Sequence, residues 1–177
     1  MVCRDAETRA RLDLVRDFGI VDEETVSMAG INAKMNEFSA ALGLLQLERF
    51  DMATESRRDI DRLYRKGLEG TRGIKCRPLL EGVRPNYGYF PIHVGEEHPL
   101  GRDGLYRRLR EAGIHARRYF HPLISQLPIY SGLPSSCPEN LPVAVRVAGE
   151  ILCLPIYPGL DHEQVARIVG IITGENL

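Results

Sequence analysis

The chain has 177 residues, 44% hydrophobic and 27% charged, a composition that describes one globular domain or a domain with an attached piece and excludes a disordered polymer. A net charge of −1 offers no nucleic-acid footprint, and no run of about 18 apolar residues exists to span a membrane. Of the 23 basic residues only three are lysines, Lys34, Lys66 and Lys75, so candidates for amine chemistry are few.

The start, MVCRDAETRARLDLV, is charged too early and too often for a signal peptide. Met1-Val2-Cys3 reads as the tail of a strand, which predicts that a preceding part of the protein is missing. Asp5 is a candidate N-cap for a short helix with Leu12 and Val15 inward, ending at Gly19. Cys3, Cys76, Cys137 and Cys153 are widely spaced with no CxxC pair, which argues against a zinc site and for reduced, mostly buried thiols in a cytosolic protein.

Residues 20–33 are irregular. Asn36 can cap the next helix, with Glu37 favourable in its first turn. Phe38, Ala41, Leu42 and Leu45 follow at i, i+3, i+4 and i+7, and Ile60, Leu63 and Tyr64 continue an apolar stripe among charges. One helix over 37–69, roughly 50 Å long, is expected. Its first half should be buried on more than one side and its second should run along a surface.

Beyond Gly70 and Gly73 the pattern becomes short strands: Ile74 to Leu79, and the aromatic run Tyr87 to Val94. Asp103 is a candidate N-cap for a helix with Leu105 and Leu109 inward, stopped at Gly113. Ile114 to Phe120 alternates like a strand. Five prolines pin 121–142 as a loop. A short helix from Val143 to Glu150, a strand from Ile151 to Leu154, and a final helix capped by Asp161 complete the chain. The expected class is α/β: a small, mostly antiparallel sheet with helices on one face, joined to a long connecting helix.

Chemistry-bearing patterns are sparse. There is no GxSxG, no Walker loop, no GxGxxG, and no histidine pair at metal-binding spacing. The alternating stretch RRYFHP would put Arg117, Tyr119 and His121 on one face at a strand end, where they suit an anionic or polyhydroxylated ligand. On the residues alone, a solvated edge with one buried ring explains it better. The Arg57–Arg65 helix face, interleaved with Asp59 and Asp61, reads as a solvated surface.

Four stretches, GINAKMNEFSAALGLLQLERFD, NYGYFPIHV, EAGIHARRYFHPL and ILCLPIYPGL, together resemble the C-terminal half of the DegT/DnrJ/EryC1/StrS sugar aminotransferases, over nearly the whole chain. Within that family they look most similar to members acting on dTDP-4-dehydro-6-deoxyglucose. The resemblance implies a fold type I enzyme that uses pyridoxal 5′-phosphate, takes its amino group from glutamate, and works as a homodimer with sites at the subunit interface. It implies that Asn32 reaches the cofactor phosphate of the partner subunit, and it supports Tyr119 and His121 as contacts of the nucleotide sugar; Arg117 joins them as a candidate substrate contact on the alternation alone. No metal and no catalytic residue is expected here, because none of the three lysines matches the family's Schiff-base segment.

The division this implies is 1–35 as a remnant of a large cofactor-binding domain, 36–70 as a connecting and interface helix, and 71–177 as a small C-terminal α/β domain. The chain by itself is expected to be inactive. Two alternatives stay open: a non-catalytic oligomerisation module, and the family's cofactor-dependent sugar dehydratases.

Overall fold

The computed structural model describes residues 3–175, so the strand expected from Met1 lies in part outside the described residues. Contacts divide the chain into two compact units that meet between Arg49 and Phe50.

In the first unit, helix α1 (Ala6–Arg16) opens where the Asp5 carboxylate accepts from the Thr8 N–H at 2.7 Å. It ends at Arg16, short of Gly19. Gly19 turns the chain at φ 77°, and its N–H reaches back to the Leu14 carbonyl at 2.7 Å. Residues 31–33 then lie against the end of α1: Ile31 donates to Val15 at 2.8 Å, and Ala33 to Arg16 at 3.0 Å. This close approach explains the glycine of the GINAK segment. A Cβ on Gly30 would stand 2.5 Å from the Gly19 nitrogen.

The expected 37–69 helix is two helices, α2 (Glu37–Glu48) and α3 (Phe50–Leu68). Arg49 separates them in the sparsely populated bridge region (φ −97°, ψ −2°). Asn36 caps α2 as expected, accepting from the Ser39 N–H at 2.9 Å. Within this chain, however, α2 buries nothing. Phe38 is 91% exposed, and Leu42 and Leu45 are exposed as well.

The second unit holds the core. Strands β1 (Ile74–Cys76), β2 (Phe90–Val94) and β3 (Ile151–Leu154) form an antiparallel sheet in the order β1-β2-β3. Lys75 pairs with His93, and Ile92 with Leu152. Along β2 the even positions Phe90, Ile92 and Val94 are buried while Pro91 and His93 are half-buried, the period of two that a one-sided core demands. Helices α3, α4 (Gly101–Glu111), α5 (Pro142–Glu150) and α6 (His162–Thr173) supply the rest. Leu105, Leu109, Val165 and Ile168 reach the same core.

Several expectations are corrected by local chemistry. The 74–79 strand stops at Cys76, because the Arg77 carbonyl is taken by the Arg65 guanidinium and Pro78 has no N–H to pair. The 87–94 strand begins only at Phe90. Before it, the Asn86 side chain accepts from Gly88, and Tyr87 adopts a left-handed φ of 50°. Asp103 is not the N-cap of α4. Leu100 takes that position without a side-chain bond, and Asp103 sits in the first turn. The 121–142 loop is ordered by three 3₁₀ turns.

Residues 114–120 form no strand. Arg117 alone pairs with Cys153, by hydrogen bonds of 2.9 and 2.8 Å. The next position along that ladder is Pro155, which has no N–H, and on the other side the chain turns at Tyr119 and Phe120, the latter at φ 43°.

Tyr64 knits these layers together. It is fully buried, its ring centroid lies 4.8 Å from that of Phe90, and its hydroxyl donates to the Pro155 carbonyl at 2.9 Å. Replacing it with Phe leaves that carbonyl without its donor and should cost about 1 kcal/mol. Replacing it with Ala should cost about 3–5 kcal/mol. Urea melts of the two variants against the parent chain measure both.

Candidate functional site

Among the described residues, two of the cavities in the second unit take in residues singled out by sequence. The larger, about 480 Å³, lies between α6 and the 113–117 segment. Arg117, His115, Arg167 and Tyr157 are among its lining residues, over an apolar floor that includes Ile114 and Ile168. The smaller, about 320 Å³, lies against the 77–91 loop and is lined in part by Tyr87, Tyr89, Tyr119, Asp61 and Arg65. Tyr89 lines both.

The three residues grouped by alternation are therefore not brought to one face. Arg117 lines the larger cavity and Tyr119 the smaller, while exposed His121 lines neither of the two. Tyr119 sits in an aromatic cluster, 5.4 Å from the Tyr89 ring and 4.3 Å from the Phe120 ring. Arg118, between them in sequence, stacks on Tyr106 at 4.9 Å and pairs with Asp103 at 3.6 Å. A strand would have kept Tyr119 and His121 with Arg117, and the turn at 119–120 separates them.

In the first unit, Asn32 forms an isolated bridge with Asp17 and is exposed. Its backbone is fixed by the neighbouring bonds to α1, which leaves the side-chain amide at the surface. An open groove of about 780 Å³ runs beside α1, with Arg4, Arg9, Arg16 and Ile31 on its walls.

A buried ion pair escaped the sequence reading. Asp61, placed above on a solvated face, is only 4% exposed. Arg65 grips it from one turn on, Nε to Oδ1 at 2.6 Å and Nη2 to Oδ2 at 3.3 Å, and also donates to the Arg77 carbonyl at 2.7 Å. The guanidinium lies 5.5 Å from the Phe90 ring centroid. The i, i+4 acid–Arg spacing was visible in the sequence, but it is common on exposed helices and carried no sign of burial.

The lysines stand apart from the cavities. Lys34 pairs with Asp17 at 2.7 Å and lies 5.5 Å from the Phe18 ring centroid. Lys66 and Lys75 are exposed and line none of the cavities described. No cluster of three or more metal-ligating side chains occurs among the described residues. None of the helices among them is long and apolar enough to cross a membrane.

Fold and cavities together define a small domain in which helices cover an antiparallel three-stranded sheet, carried with a shorter helical unit. The sequence pattern of the DegT/DnrJ/EryC1/StrS aminotransferase family matches residues 1–173, and the chain belongs to that family. It is 43% identical over 175 residues to the dTDP-4-amino-4,6-dideoxy-D-glucose transaminase of Escherichia coli, an alignment covering 99% of this chain and 47% of that protein. Identity to the protein of the same name from Shigella dysenteriae is 36%, over 97% of this chain and 46% of that protein. The solved structure of S. venezuelae DesV in complex with a ketimine intermediate superposes with a TM-score of 0.83 at 26% identity, covering 98% of this chain and 45% of that one. The chain spans about half the length of the curated relatives it matches.

Cys153, on the floor of the larger cavity, is a chemical reporter of this packing. It is 6% exposed, and burial pushes its thiol up to about 11. At about pH 8 roughly one thiol in a thousand is ionised there, against about a quarter of a free cysteine. Its alkylation by iodoacetamide should therefore run at least ~100-fold slower than that of a free thiol and recover in urea. Peptide mass mapping over time reads the rate.

Proposed function

We propose that this chain supplies part of a pyridoxal 5′-phosphate-dependent aminotransferase that moves an amino group from glutamate to a nucleotide-linked keto sugar of the dTDP-4-dehydro-6-deoxyglucose type. The observation that carries the reading is the 43% identity, sustained over 99% of the chain, to a relative named for that class of product. The two tyrosines and His121 suit such a ligand. Tyr89 and Tyr119 give a ring surface and hydroxyls, and the exposed imidazole of His121 stands two residues along from Tyr119. Arg117, grouped with them by alternation, lines the larger cavity, which Tyr89 also borders. Asn32 is the proposed phosphate contact toward a partner subunit: its amide can donate to a phosphate oxygen, and the backbone on either side is held to α1.

These residues do not amount to a cofactor cradle. A Schiff base needs an amine directed into a pocket, and the three lysines are ion-paired or exposed away from the described cavities. No chemical step is therefore assigned to this chain alone, and by itself it is inactive. Incubated with pyridoxal 5′-phosphate and then borohydride, the chain should carry no stoichiometric adduct at any lysine by mass spectrometry. A single fully modified site, at Lys34 above all, would overturn that reading.

The same proposal makes the assembly a homodimer, and α2 supports it. From Phe38 to Leu47 its only polar side chains are Ser39 and Gln46, and apolar residues lie all round the helix rather than on one stripe. A helix of that kind belongs inside a protein or between proteins. Sedimentation of the chain should show self-association at micromolar concentration. Leu42→Glu together with Leu45→Glu should shift it to monomer, by at least about tenfold in the dissociation constant. A parent chain that sediments as a clean monomer contradicts the interface.

A further inference from the structure

The larger cavity has an asymmetry in its hydrogen-bonding groups that points to a ligand. Four of its backbone carbonyls are already used. The Cys153 carbonyl accepts from the Arg117 N–H at 2.9 Å, that of Pro155 from the Tyr64 hydroxyl at 2.9 Å, and that of Tyr157 from the Leu160 N–H at 3.2 Å. The Ile114 carbonyl accepts from Ala116 at 3.1 Å. No Asp or Glu lines the cavity, and the one thiol on its floor is held in its neutral form by burial.

Its donors, by contrast, remain available. The Arg117 backbone is fixed to Cys153, while its guanidinium pairs with no carboxylate among the described residues. Arg167 spends one N–H on the Ala112 carbonyl at 2.8 Å and keeps the others. The Arg110 guanidinium lies 2.6 Å from His115 Nδ1. Since a guanidinium can only donate, Nδ1 accepts, and the neutral imidazole keeps its proton on Nε2 as a further donor. Gln164, whose backbone N–H is bound by Asp161, adds a side-chain amide.

Beneath these groups the wall is apolar. Ile114, Leu154, Leu160 and Ile168 are all buried, and Tyr89 and Tyr157 stand exposed around the opening. A space of about 480 Å³ falls within the roughly 300–1,000 Å³ of small-molecule sites.

We propose that this cavity binds a small organic anion, a phosphate or carboxylate carried on a flat apolar body. The anion accepts from these cationic and neutral donors, which no lining carboxylate neutralises, with Arg117 as its principal contact, and the body lies on the Ile114–Leu154–Ile168 floor. Phosphate and carboxylate each offer two oxygens to the planar fork of a guanidinium, so the head group is left to the experiment. The site shares Tyr89 with the Tyr119 cavity but is otherwise lined by different residues, and the inference does not rest on the aminotransferase reading.

Methyl-resolved NMR titration of the full chain tests it, with four probes: phenyl phosphate, benzoate, inorganic phosphate and benzyl alcohol. Phenyl phosphate or benzoate should shift the methyls of Ile114, Leu154 and Ile168 saturably, and bind about tenfold tighter than uncharged benzyl alcohol. The tighter of the two identifies the head group. Arg117→Gln should weaken that probe by about tenfold. Should that variant fail to fold, Gln164→Leu carries the same direction of change with a smaller loss. The proposal is overturned if neither aromatic anion moves these methyls, if benzyl alcohol binds as well as the anions, or if inorganic phosphate binds as tightly as phenyl phosphate. Unchanged affinity in both variants overturns it equally.

Discussion

The second unit depends on one buried side chain. Tyr64 stands where helix α3, strand β2 and the end of β3 meet, packed on Phe90 and bonded to the Pro155 carbonyl. That carbonyl belongs to the residue that stops the sheet from widening, so a single hydroxyl both closes the core and satisfies the backbone at its boundary. The Asp61–Arg65 pair, three residues before and one after Tyr64, extends the same logic to the 77–91 loop: buried Asp61 holds Arg65, which also donates to the Arg77 carbonyl. The Arg117 and Tyr119 cavities both border residues fixed by these contacts.

The first unit has no counterpart. Among its described residues only Gly19 is buried, and its order comes from backbone bonds between the end of α1 and residues 31–33. Apolar burial is the dominant stabilising term in folding, and this unit has almost none of its own. The apolar side chains of α2 are exposed along its length. The two units thus differ in what orders them: apolar packing in the second, backbone bonds in the first.

Much of this was legible in the sequence, for identifiable reasons. The caps at Asp5, Asn36 and Asp161 could be read because a side-chain acceptor three residues before a helical N–H is a local event. Strand β3 was read to the residue, since a four-residue apolar run ending in proline leaves little choice. What failed was non-local. The 114–120 segment alternates like a strand, but its partner ladder is blocked by Pro155, forty residues away, and no pattern within the segment announces that. The same miss scattered Arg117, Tyr119 and His121. Asp61 looked solvated for a similar reason, because only the fold decides which side of α3 the sheet covers. The resemblance to a family reached further than periodicity, yet it too said nothing of the donor-rich cavity under α6.

Pro155 has one more effect. Strand β3 offers its outer edge to a single residue, Arg117, and β1, the opposite margin, is three residues long with exposed Lys75 at its middle. Neither border is a usable template for adding another chain's strand. Edge-to-edge pairing of this sheet with that of a second copy is thereby disfavoured.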